Sequence, residues 1–141
     1  MANLNSFYSE WVPRLLSVMR VIIAFLFIQH GAQKLFGFMA PEQWAASPVF
    51  SMIWIAGVLE FFGGLFILFG LFTRPVAFIL SGLMAVAYFM AHAPQGFWTI
   101  QNRGELAVAY CFVFLYLTVA GGGSWSMDRL LWRQERTRLE T

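Results

Sequence analysis

Four polar side chains, Gln29, His30, Gln33 and Lys34, interrupt the apolar run RVIIAFLFIQHGAQKLFGF over residues 20–38. Ionisable groups inside a membrane span are costly, so they face a protein interior or a wet cavity and mark functional paths. Comparable residues recur further on. Glu60 stands inside the apolar stretch 50–72, Tyr88 and His92 close a third stretch, and Asn102, Arg103 and Glu105 open a fourth. These are the candidate ligand-binding residues.

Three chemistries compete for that inventory. His30 and His92 could ligate a haem between facing helices, but their expected depths differ by several residues, which disfavours it. A metal site from both histidines with Glu60 or Glu105 lacks any compact ligand spacing, and none is expected. A quinone asks for an apolar tunnel, aromatics around its ring, hydrogen-bond donors at its carbonyls and a protonatable partner. His30, Tyr88, His92, Glu60 and the sixteen phenylalanines supply those types, and an apolar pocket with a few convergent polar groups is the usual form of a ligand site. Each residue also has a structural reading. Lys34 could snorkel to headgroups. Glu60 must be protonated or paired, for instance to Lys34 or His30. Asn102, Arg103 and Glu105 could form a capped helix start and an ion pair. No catalytic residue is singled out.

The elements that must position these residues follow from composition. Sixty per cent of the 141 residues are hydrophobic and 11% charged, against roughly a quarter charged in soluble domains. The mean hydropathy is +0.67. This is the composition of an integral membrane protein, and its length suits a single domain without a separate soluble catalytic module. The net charge of +2 does not signal nucleic acid, because the basic residues flank apolar runs as membrane anchors do. The single cysteine, Cys111, excludes an internal disulfide or a redox pair and reads as an inert buried residue.

Four spans are expected, at about 14–36, 50–72, 76–93 and 104–121, as an all-α transmembrane bundle of helices. Residues 1–13 read as a headgroup-level segment, with Pro13 opening the first helix. That helix is too long for a cleaved signal peptide and is expected to be retained. Residues 39–48 and 93–103 read as loops with Trp44, Phe97 and Trp98 at the interface, and Thr73, Arg74 and Pro75 as the turn opening the third helix. Gly57, Glu60 and Gly64 share one face of the second helix, which could serve packing within or between chains and so leaves a homo-oligomer open. Ser81, Ala85, Tyr88 and His92 share an inward face of the third, and Glu105, Ala109, Phe112 and Tyr116 one face of the fourth. Residues 124–141 read as a juxtamembrane tail with Ser126 as N-cap.

Arg14, Arg74, Arg129, Arg133, Arg136 and Arg138 fall on one side of such a bundle and only Lys34 and Arg103 near the other. The positive-inside rule then puts both termini in the cytoplasm. At ~1.5 Å per residue, His30, Lys34, Glu60, His92 and Glu105 gather in the outer half, and Arg20 belongs to the cytoplasmic half.

The series Arg20, His30-Gly31-x-x-Lys34-Leu35-x-Gly37-Phe38, Glu60-x-x-Gly63-Gly64, Gly70-x-x-Thr73-Arg74-Pro75 and Asn102-x-Gly104-Glu105, closing on a glycine-rich turn before Ser126 and Asp128, resembles the DoxX family of small four-helix membrane proteins. The resemblance runs from about residue 20 to 128. It implies a bacterial inner-membrane protein and, because the family is named after a subunit of a thiosulfate:quinone oxidoreductase, a membrane subunit or accessory of a redox complex, with quinone as the cofactor in view and redox subunits as partners. The rival expectation is a non-enzymatic scaffold, or a protein handling small solutes or lipids, whose polar cluster is structural.

Overall fold

The computed structural model describes residues 2–39 and 46–132. Trp44, most of the 39–48 loop, and Arg133, Arg136 and Arg138 lie outside the described residues. The chain is all-helical among those described: α1 (Ala2–Phe36), α2 (Met52–Phe69), α3 (Thr73–Ala87), a π-helical turn (Tyr88–His92), a 3-10 turn (Ala93–Gln95), the short α4 (Thr99–Asn102) and α5 (Glu105–Ala120). A further helix begins at residue 127. Among the described residues three helices, including α3 with its continuation to Gln95, are long and apolar enough to cross a membrane, and α5 is a shorter apolar helix. Their outward surfaces carry exposed Phe25, Phe62, Phe66, Phe78, Phe89 and Phe112, as lipid-facing surfaces do.

The helices associate as two close pairs, α1 with α2 and α3 with α5, with α2 joined to α3 through the turn at 70–72. Glycine brings the first pair together. A Cβ added to Gly31 would collide with the Phe61 backbone and stand 2.9 Å from the Gly57 carbonyl oxygen, and one on Gly64 would stand 2.6 Å from Ile28. Close backbone approach through small residues is the usual packing device of membrane helices. The expected face Gly57, Glu60 and Gly64 is indeed the buried face of α2. In the second pair the buried Ser81 hydroxyl donates to the Cys111 carbonyl at 2.9 Å. Phe27, Tyr110 and Phe114 meet at the centre, with ring centroids 4.8 to 5.9 Å apart.

Several boundaries differ from expectation. Pro13 does not open α1 but lies inside it. Its ring removes one helical donor, in an exposed segment where Ser9, four residues earlier, stands open to its surroundings. Its own carbonyl accepts from the Ser17 hydroxyl and the Ser124 amide. The third helix opens at Thr73 rather than after Pro75, because the Asp128 carboxylate accepts from the Phe72 and Thr73 amides at 2.7 and 2.8 Å. Proline is tolerated in that first turn, where amides lack helical partners anyway. The 93–103 loop contains two short helical turns. Ser126 caps the tail helix, accepting from the Arg129 amide at 3.3 Å.

Arg20 is a buried structural centre. It is 1% exposed, and its guanidinium donates to the carbonyls of Gly122 (2.8 Å), Ile67, Leu68 (2.5 Å) and Trp125 (2.7 Å). Two of these carbonyls end α2, where a cation also complements the helix dipole. Arg20 thus ties α1, α2 and the turn after α5 at one end of the bundle.

Candidate functional site

At the opposite end, the glycine contact between α1 and α2 sets the geometry. A Cβ on Gly57 would lie 2.9 Å from Lys34 Cβ, so Lys34 runs directly over α2. One turn on, Glu60 is 2% exposed, and Lys34 Nζ donates to Oε1 and Oε2, both at 2.5 Å. A partly buried ammonium and a buried carboxylate thereby neutralise each other, as a buried charge requires.

The pair forms part of the wall of a cavity of about 230 Å³. Phe27, His30 and Lys34 come from α1, Glu60 from α2, Met84 and Ala87 from α3, His92 from the π turn, Arg103 from the end of α4, and Leu106, Ala107 and Tyr110 from α5. The Tyr110 ring stands edge-on to His30 with centroids 6.0 Å apart. A second space of about 290 Å³ shares His30, Leu106 and Tyr110 with the first and adds Leu26, Gln29, Gln33, Phe38 and Met39. It is a cleft between α1 and α5, and exposed Leu26 and Phe38 stand at its margin.

His92 owes its position to the π turn, a local widening found often at functional sites. Its Nδ1 lies 2.9 Å from the Asn102 carbonyl. A carbonyl only accepts, so Nδ1 carries the proton and the neutral ring keeps Nε2 as an acceptor. Tyr88 stacks on His92 with centroids 6.4 Å apart and does not line the cavity. Asn102 is 1% exposed; it donates to the Gly96 carbonyl and accepts from the Gly104 amide, both at 2.8 Å. Tyr88 and Asn102 therefore hold His92 from behind.

The candidates divide accordingly. His30, Lys34, Glu60, His92 and Arg103 converge on the cavity, and Gln29 and Gln33 line the adjoining cleft. Glu105 is not brought in. The buried face of α5 is Ala107, Tyr110, Phe114 and Leu117. Glu105, two residues from Ala107 and so about 200° around the helix, is exposed with Ala109, Phe112 and Tyr116. It shares a shallow groove with Arg103, and no ion pair joins the two among the described residues. Tyr110 was not among the candidates. No periodicity in the sequence marked it, because the residues beside Ala107, Tyr110, Phe114 and Leu117 in α5 are nearly as apolar as that buried stripe. Among the described residues no three His, Cys, Asp or Glu side chains gather as a metal site.

The sequence profile of the DoxX family matches residues 15–93. An uncharacterized protein of Haemophilus influenzae is 39% identical over 89% of this chain and 96% of its own length. The inner membrane proteins YqjF and YphA of Escherichia coli are 34% and 30% identical, over 81% and 83% of this chain and 89% and 90% of theirs. No solved structure matches. With the family profile covering more than half of the chain and relatives aligned along nearly their whole length, the chain belongs to the DoxX family.

Proposed function

We propose that this protein is a single-domain subunit or accessory of an oxidoreductase in the bacterial inner membrane, with both termini cytoplasmic, and that its cavity holds the polar head of a lipid-soluble small molecule of the quinone type. One observation carries the reading: a neutralised Lys34–Glu60 pair faces a cavity adjoining a cleft between α1 and α5. The two spaces together have the size of small-molecule sites, roughly 300–1,000 Å³. The cleft suits a ligand arriving from the bilayer.

In this reading Lys34 and Arg103 donate to a carbonyl oxygen, His30 and the His92 Nε2 accept or donate according to the ring state, and Phe27 and Tyr110 flank the ring. Glu60 holds Lys34 in place and is the group able to take a proton. A bound quinone would supply the electron chemistry, and the residues named would bind and orient it. The names of the relatives YqjF and YphA support the inner-membrane location.

The test is the purified protein in detergent. Extraction and mass spectrometry should find co-purified quinone, and a short-tailed quinone should raise the melting temperature of wild type and not of His30→Ala. If no quinone co-purifies and none shifts the melting temperature, the cluster is structural and the scaffold or lipid-handling reading replaces this one.

A further inference from the structure

The Arg20 end carries a second cavity, of about 550 Å³, between the start of α3, the glycine turn after α5 and the tail helix. Arg74 lines it. Its Nη1 caps α5 by donating to the Thr118 and Val119 carbonyls at 3.2 and 2.5 Å, while Nε and Nη2 have no protein partner among the described residues. That unused edge lies along the turn, since a Cβ on Gly121 would be 3.5 Å from Nη2. Arg129 also lines the cavity, and its side chain makes no hydrogen bond or ion pair among the described residues. The carboxylate present, Asp128, is consumed by the Phe72 and Thr73 amides and balanced by the positive end of α3. The cavity thus keeps an excess of positive charge with unused guanidinium donors.

We infer that this cavity binds a phosphate group, with Arg74 and Arg129 as its clamp. Guanidinium groups suit phosphate because their planar forks match its oxygens. The site opens beside exposed Leu130, Leu131 and Trp132, residue types that sit at the membrane–water interface. A phosphate presented there is that of an anionic phospholipid headgroup or of a soluble phosphate compound.

The full-length protein in nanodiscs of phosphatidylcholine, of phosphatidylcholine with phosphatidylglycerol, and of phosphatidylcholine with added inorganic phosphate separates these sources. Native mass spectrometry after extraction should show retained phosphatidylglycerol, and Arg129→Gln should lower that retention about fivefold, the weight of one basic residue at a charged surface. Arg14→Gln removes one charge outside the cavity, where Arg14 pairs with Glu10, and should leave retention unchanged. Arg74→Gln also uncaps α5, so Arg129→Gln carries the test. Stabilisation by inorganic phosphate alone, lost in Arg129→Gln, would uphold the site and assign it to a soluble phosphate. Equal behaviour in all three media, or equal loss in Arg14→Gln and Arg129→Gln, would overturn it.

Discussion

The Lys34–Glu60 pair shows what a single residue type discloses. A carboxylate and an ammonium in apolar helices are anomalies on any reading of the chain, and the pairing of Glu60 with Lys34 was one of few ways to bury it. The neighbouring anomaly, Glu105, misled, because a polar residue at a helix start has solvent or headgroups available and need not face inward. The pair makes a quantitative prediction. Lys34→Met should strand the Glu60 carboxylate and cost about 3 kcal/mol, the lower end for breaking a buried pair, since the Lys34 side chain is 31% exposed. Lys34→Met with Glu60→Met should recover most of that loss. Reversible unfolding in mixed detergent, read as a double-mutant cycle with both single variants, measures it; a loss in the double variant equal to the sum of the two single losses would mean the pair is not coupled.

At the scale of elements, the contact between α1 and α2 is set by glycine. Gly31→Val should push the helices apart, costing about 1–3 kcal/mol as overpacking does, and should also loosen Lys34 from Glu60, which meet only because the backbones are close. A lowered melting temperature is the expected result. An unchanged melting temperature would refute the close contact. The buried face of α2 was readable because Gly57, Glu60 and Gly64 differ from their apolar surroundings. That of α5 was not: α5 is apolar nearly all round, and such a helix has little periodicity from which to read its inward side. The reach of α1 through Pro13 and the opening of α3 at Thr73 also escaped the sequence. The second depends on a partner fifty-five residues away, the Asp128 carboxylate.

At the scale of the whole molecule, the bundle is closed at one end by Arg20 and open at the other around Lys34 and Glu60. Arg20→Met should remove the donor that four carbonyls share; Ile67 keeps the Gly70 amide and Gly122 the Ser17 hydroxyl, while Leu68 and Trp125 lose their side-chain donor, at about 1–3 kcal/mol for each one that water does not reach, which should reduce the yield of folded protein. Arg20→Lys should rescue little, because one ammonium cannot serve carbonyls on two separate segments as a planar guanidinium does. Thermal melts and gel filtration of both variants check this, and a wild-type profile for Arg20→Lys would contradict it. Composition and the length of the apolar runs by themselves determined the membrane setting and the helical class, because hydrophobicity and span length are properties of the local chain. Which polar residues meet was decided only in three dimensions, by the rotation of each helix about its axis. That rotation follows from packing between helices, which put Tyr110 into the cavity, turned Glu105 out of it, and gathered Arg20, Gly122 and Trp125 into one knot from opposite ends of the chain.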